Sequence, residues 1–262
     1  MHHIQLSFDI LDYIFSFLVS DRGTLVACSK DPVLSPLVER HVYYHVIVDV
    51  GVRTNSSYAF KPNHLSKLVS HNPHIVSYVR ILQIDVQFSS KFAGIDDSFA
   101  TTLLMFPALQ CIKLSAQTTA DWRLLDPFRA ALEDRLNLPT VKELHITDYI
   151  PRSLLDTKNI KNLSFSILGF VTSFPIQDQL CASTPPQLHS LNVRAPSRYA
   201  VFPSWLKLRC KELRSFECTL EDWEGILGIL GVCSGTLNNL DLVLGYSPCM
   251  IFKFFYTQSE TM

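Results

Sequence analysis

Val141-Lys142-Glu143-Leu144-His145-Ile146 sets apolar residues at its first, fourth and sixth positions, with polar or charged ones between them. The last three residues have the period-two alternation of a short strand whose two faces meet different surroundings. The same phrase is written as Val79-Arg80-Ile81-Leu82-Gln83-Ile84, Leu109-Gln110-Cys111-Ile112-Lys113-Leu114 and Ile160-Lys161-Asn162-Leu163-Ser164-Phe165. It returns as Leu188-His189-Ser190-Leu191-Asn192-Val193, Leu213-Arg214-Ser215-Phe216-Glu217-Cys218 and Leu237-Asn238-Asn239-Leu240-Asp241-Leu242. The middle apolar residues stand at 82, 112, 144, 163, 191, 216 and 240, steps of 30, 32, 19, 28, 25 and 24 residues. Steps of this size are those of irregular leucine-rich repeats with insertions.

Between the phrases the periodicity becomes helical. Asp96 to Phe106 puts Phe99, Leu103 and Phe106 on one side, and Asp126-Pro127 is a cap and first-turn pair for Phe128 to Leu136. Asp222-Trp223-Glu224 opens another helix, with Trp223, Ile226, Leu227 and Leu230 expected inward. Val46 to Val50 reads as an initial strand. One strand-turn-helix unit cannot bury its own leucines, whereas stacked units share a core in which each buried Leu or Ile contributes roughly 1.5–3 kcal/mol. The expected fold is therefore α/β: a leucine-rich-repeat solenoid over residues 46–262 with a curved parallel sheet. A generic α/β domain with short parallel strands would produce the same alternation, but the repeated Leu-x-x-Leu phrase favours the solenoid. Met250 to Tyr256 is apolar where a solenoid needs a polar cap, so the stack is expected to lack its C-terminal capping unit.

On such a sheet the residues alternating with the buried ones line one face. They are Gln83 and Asp85; Cys111, Lys113 and Ser115; Glu143, His145 and Thr147; Asn162, Ser164 and Ser166; Ser190, Asn192 and Arg194; Ser215, Glu217 and Thr219; and Asn239 and Asp241. This polar, mixed-charge face is the candidate surface for a protein substrate, and equally the polarity any exposed strand face needs for solubility.

Composition narrows the classes further. In 262 residues, 23 basic and 24 acidic side chains leave a formal charge of −1, with no basic block to neutralise phosphates, so nucleic acid is not expected as a partner. The chain is 47% hydrophobic and 18% charged, and its longest uncharged apolar run, from Gly225 to Leu240, is shorter than the roughly 20 residues that span a bilayer. No membrane association is expected. No Lys or Arg precedes the apolar N-terminal stretch and Asp9 and Asp12 lie within it, unlike a secretory signal, so a cytoplasmic or nuclear location is expected. Seven cysteines (Cys28, Cys111, Cys181, Cys210, Cys218, Cys233, Cys249) without a C-x-x-C read as reduced, buried small hydrophobes.

G-x-G-x-x-G, P-loop, G-x-S-x-G and H-E-x-x-H motifs are all missing, so no enzyme activity, catalytic residue or cofactor is expected. His41 and His45, spaced i, i+4 as if to share a helix face, lack a nearby third ligand, and His71 and His74 flank a turn at Asn72-Pro73; no metal is expected. The acidic pairs Asp96-Asp97, Glu133-Asp134 and Glu221-Asp222 fall at helix starts or on exposed helix, and Trp122, Trp205 and Trp223 are expected to pack between repeats.

The remaining segment, residues 1–45, contains Leu6-Ser7-Phe8-Asp9-Ile10-Leu11-Asp12-Tyr13-Ile14-Phe15-Ser16-Phe17-Leu18, a helix pattern with Ile10, Leu11, Ile14, Phe15 and Leu18 on one side. It resembles the opening of an F-box, whose usual form is Leu-Pro-x-Glu-Ile-Leu-x-x-Ile-Phe-x-Phe-Leu. Asp21, Thr24, Leu25, Cys28 and Ser29 look like the second helix of that module, and Leu37, Val38, Val42, Tyr43 and Tyr44 like the third. Ser7 replaces the usual proline, where it can act as an N-cap; Asp9 replaces glutamate, and Lys30 to Pro36 replaces the usual Val-Cys-Arg-x-Trp segment. The whole arrangement is similar to fungal F-box-like proteins with irregular leucine-rich repeats. That resemblance implies a substrate-recognition subunit of a Skp-cullin-F-box ubiquitin ligase. Leu6, Ile10, Leu11, Ile14, Phe15 and Leu18 would contact the Skp-type adaptor or form the small core behind that contact, while the repeats bind a protein substrate. The alternative is a leucine-rich scaffold with a degenerate F-box and no ubiquitin role.

Overall fold

The computed structural model describes residues 7–19, 21–50, 59–86, 97–116, 126–148, 157, 159–166, 187–194, 204–219, 223–244 and 252–257. Every phrase forms a strand. After β1 (His45–Val50), they give β2 (Ile81–Val86), β3 (Cys111–Ala116), β4 (Glu143–Asp148), β5 (Asn162–Ser166), β6 (Ser190–Arg194), β7 (Ser215–Thr219) and β8 (Asn239–Leu244). These eight strands are hydrogen-bonded in chain order and all parallel, and β9 (Phe252–Thr257) runs antiparallel along the outer edge of β8. The protein is thus α/β with an open parallel sheet, and the stretch expected to leave the stack uncapped supplies this ninth strand.

Register explains the repeating phrase. Val46, Leu82, Ile112, Leu144, Leu163, Leu191, Phe216 and Leu240 are successive partners across the sheet, as are Val48, Ile84, Leu114, Ile146, Phe165, Val193, Cys218 and Leu242. Each row carries one apolar side chain per strand into the same core, and apart from the partly buried Leu240 none is more than 7% exposed. The opening residue of each phrase, from Val79 and Leu109 to Leu237, is buried too. A shift of one residue in any strand would turn both rows outward, so burial fixes the register.

The backbone repeats with the side chains. At the entrance to each strand one carbonyl accepts from two successive amides of the next unit. Tyr44 O takes Arg80 N (3.0 Å) and Ile81 N (3.0 Å), Gln110 O takes Lys142 N (2.9 Å) and Glu143 N (3.2 Å), and Arg214 O takes Asn238 N (2.8 Å) and Asn239 N (2.9 Å).

Parallel neighbours require crossovers, and helices supply most of them. The crossovers contain α4 (Pro62–His71) between β1 and β2, α5 (Asp97–Leu104) before β3, α6 (Asp126–Leu136) before β4, α7 (Ser204–Leu208) before β7 and α8 (Trp223–Cys233) before β8. Phe99 and Leu103 of α5 and Phe128 and Leu132 of α6 are fully buried, and the Phe99 and Phe128 rings stack at 5.7 Å. In α8 the inward side is Ile226, Ile229 and Cys233, with Leu230 against the core; Leu227 is 61% exposed and not inward as expected. Spacings of three and seven residues from Ile226 hold one face of a helix, and Leu227, one step on, has turned about 100° away. The inter-repeat packing expected of Trp122, Trp205 and Trp223 lies outside the described side chains.

Three short helices precede the sheet: α1 (Phe8–Phe17), α2 (Arg22–Cys28) and α3 (Ser35–Val42). They share a second, small core of Phe15, Leu25, Val38 and Val42. Asp21 caps α2, accepting from Thr24 N at 3.1 Å and Thr24 Oγ1 at 2.7 Å, and Pro36 stands in the first turn of α3. Ser7 occupies the N-cap of α1 with extended backbone, yet its hydroxyl makes no capping bond. Helix α3 ends at Tyr43, so His41 lies on a helix and His45 on a strand, and the expected shared helix face does not form.

Candidate functional site

Helix α1 is apolar on two sides. Leu11, Phe15 and Leu18, at i, i+4 and i+7, face the small core, with Phe15 buried and the other two packed on it. Ile10, Ile14 and Phe17 keep the same spacing one residue earlier and stay in water, 48%, 42% and 66% exposed. Phe8 and Tyr13 join them, and the Tyr13 and Phe17 rings meet edge to face at 4.7 Å. Of the six candidate adaptor residues, the structure therefore gives Ile10 and Ile14 to the surface and Leu11, Phe15 and Leu18 to the module's interior. Leu6 lies outside the described residues. Phe8, Tyr13 and Phe17 complete the exposed side.

An ion-pair cluster holds that side in place. Asp12, on the flank of α1, accepts from His41 Nε2 at 2.7 Å and pairs with Arg40, both from α3. The His41 bond, helped by Arg40 against partial desolvation, draws the Asp12 carboxyl below the usual carboxylate range. The module is tied to the sheet by Arg22, whose guanidinium lies over the Phe60 ring at 5.3 Å and donates to His45 O at 3.4 Å, and by His74 Nε2, 3.1 Å from a Glu39 oxygen.

The second surface is the sheet face turned away from the core. Register lays its side chains in three rows. The central one runs Ile47, Gln83, Lys113, His145, Ser164, Asn192, Glu217 and Asp241. Flanking rows bring Glu143 beside Asn162 and Asn239 to the β8 end, and Asp85 beside Ser115, Arg194 beside Thr219. All the candidate face residues thus lie on one face, most of them half-buried because each is flanked by neighbours about 4.8 Å away.

Three clusters organise this face. At the β1 end Gln83 Nε2 donates to both Asp85 oxygens at 3.1 and 3.0 Å, and Lys61 stands 3.8 Å from the buried Asp49. Burial raises the Asp85 pKa against the Gln83 bonds, and the Asp49 charge adds to the rise. Toward the other end Arg194 Nη2 and Asn192 Nδ2 both donate to Glu217, at 2.9 and 2.5 Å. In the middle Cys111, Glu143 and His145 converge, their ligand atoms all within 4.8 Å of one another. Burial, followed by the Glu143 charge, pushes the Cys111 thiol up to about 12, so it is protonated at neutral pH. This third cluster was not anticipated from sequence. Its signal was the equivalent position of Cys111 and Glu143 in consecutive phrases, which pairs them across the sheet.

Other singled-out polar residues have local partners. Glu133 and Asp134 pair with Arg129 and Arg135 on α6, and His71 Nδ1 donates to Lys67 O at 2.7 Å. Among the described residues no helix is long and apolar enough to cross a membrane. No protein-family model, curated protein or solved structure matches this chain.

Proposed function

We propose that the protein is an F-box-like substrate receptor: α1 docks on the Skp-type adaptor of a cullin-RING ubiquitin ligase, and the open face of a leucine-rich-repeat stack takes a protein substrate. The observation that carries this reading is the uncovered side of α1, where five large apolar side chains, Phe8, Ile10, Tyr13, Ile14 and Phe17, are each 42–66% exposed on a helix whose opposite side is already packed. A soluble three-helix module does not gain from leaving these in water, and an amphipathic helix laid in an apolar groove is a common recognition mode. The opening sequence that resembles an F-box is this same helix. Two buried rows repeated strand after strand support the leucine-rich-repeat part, since stacked units bury a continuous core only in this way.

Co-purification from cells expressing a Skp-type adaptor tests the reading. The adaptor should accompany the full chain and be lost in an Ile10→Asp, Ile14→Asp double variant that keeps the wild-type circular dichroism. Failure to bind adaptor at micromolar concentration would overturn it. Substrate capture that survives deletion of residues 1–45, with no adaptor captured by the full chain, would favour a scaffold instead.

A further inference from the structure

We propose that Cys111, Glu143 and His145 form a three-ligand site for a zinc-class divalent cation on the open face of the sheet, with the fourth position facing solvent. The donors come from two adjacent strands. Cys111 of β3 is the register partner of Glu143 of β4, and His145 is the next residue of β4 on the same face. A thiolate, an imidazole nitrogen and a carboxylate oxygen are the donor types that zinc accepts in tetrahedral sites, and three protein ligands with one open position is the arrangement of its exchangeable sites. Ligand bonds of about 2.0–2.3 Å place tetrahedral donors about 3.5 Å apart. The three donor atoms here already lie within 4.8 Å of one another, with His145 Nε2 at 3.8 Å from Glu143 Oε2.

Two further features suit an ion, and the charge of the donors offsets a third that does not. Asn162 Nδ2 donates to Glu143 Oε1 at 3.3 Å, orienting the carboxylate so that Oε2 is the oxygen near His145, the kind of outer contact that steadies a metal ligand. Glu143 and His145 side chains are 46% and 44% exposed, so a hydrated ion reaches them from solvent, while Cys111 closes the floor at 4%. Lys113, paired with His145 in register, repels a bare cation. A bound dication is neutralised by one thiolate and one carboxylate, so the loaded site carries no net charge against that lysine. On binding, the Cys111 S–H bond breaks, its proton goes to solvent and the sulfur lone pair forms the metal bond; no electron transfer is involved.

The site does not rest on adaptor docking, and the Ile10→Asp, Ile14→Asp variant should bind metal like the wild type. The test titrates the full reduced chain with Co2+ and then displaces it with Zn2+. One equivalent of Co2+ is expected, with a near-ultraviolet sulfur-to-cobalt charge-transfer band that Zn2+ abolishes. Cys111→Ser should remove the band and Cys28→Ser should keep it. Glu143→Gln and His145→Gln, at half-exposed positions, should each weaken Zn2+ binding at least tenfold with unchanged circular dichroism. Asn162→Ala should weaken it by about 10- to 100-fold. No sulfur band, a band that persists in Cys111→Ser, or Zn2+ affinity indifferent to Glu143→Gln and His145→Gln would each overturn the assignment. The two β4 variants keep the test decisive if Cys111→Ser fails to fold.

Discussion

Replacing Phe99 by alanine probes whether the helical layer holds the sheet together. Phe99 is fully buried on α5 and its ring stacks on Phe128 of the neighbouring α6, with centroids 5.7 Å apart and planes 19° from parallel. Removing a buried phenyl from a core that cannot fully collapse costs about 3–5 kcal/mol. Of that, about 0.5–1.5 kcal/mol belongs to the stack itself and vanishes equally in Phe128→Ala. The double variant should therefore lose less than the sum of the singles by about 1 kcal/mol. For a chain of this size the Phe99→Ala loss corresponds to a fall in Tm of roughly 6–20 °C. Because each unit is braced by its neighbours, the urea transition should also broaden as β2 and β3 lose their shared cover. Leu104, on the same helix but 45% exposed, serves as the comparison: Leu104→Ala should stay within about 0.5 kcal/mol of wild type. Urea unfolding followed by circular dichroism reads all four. A Phe99→Ala loss below about 1 kcal/mol, or strict additivity with Phe128→Ala, would refute this packing of α5 and α6.

Two other outcomes follow from the electrostatics. Asp12→Asn should cost about 1 kcal/mol and raise hydrogen exchange along α1, because the α3 contacts through His41 and Arg40 weaken. In the wild type, with the Asp12 pKa lowered, that contribution is complete above its ordinary value of 3.8 and fades as pH falls through the lower folded value. His45 and His145 titrate below the ordinary histidine value of 6.5, chiefly because burial disfavours the imidazolium, with Lys113 adding to it. Below pH 6.5 the unfolded chain takes these protons first, so stability is full above that pH and declines on acidification toward the folded values. His45→Gln should flatten the decline in a pH series of urea midpoints, and an unchanged slope would count against it.

The strand layer was legible because each phrase records its own burial: the first, fourth and sixth residues are apolar, and all but the partly buried Leu240 are inside. Helix faces were less so. In α8 almost every position is apolar, so periodicity alone does not separate Ile226 and Ile229, both inside, from Leu227, which is out. Helix α1 has the same ambiguity in a more consequential place. Ile10 and Leu11 are both apolar, and only the positions of Leu25, Val38 and Val42 on the other two helices decide that Leu11 turns in and Ile10 out. The meeting of Cys111, Glu143 and His145 depends on strand order and register, and these emerge only when consecutive phrases are laid side by side.

Titration of the purified chain with a purified Skp-type adaptor measures the docking of α1 itself. Roughly half of the Ile10 and Ile14 side-chain surface remains to be buried, worth together about 2 kcal/mol, and a carboxylate pressed into an apolar groove adds a further desolvation cost. The wild type should bind with a submicromolar Kd, and Ile10→Asp, Ile14→Asp should bind at least ~100-fold more weakly with an unchanged Tm. Equal affinity in the two proteins, or no binding by the wild type at micromolar concentration, would contradict it.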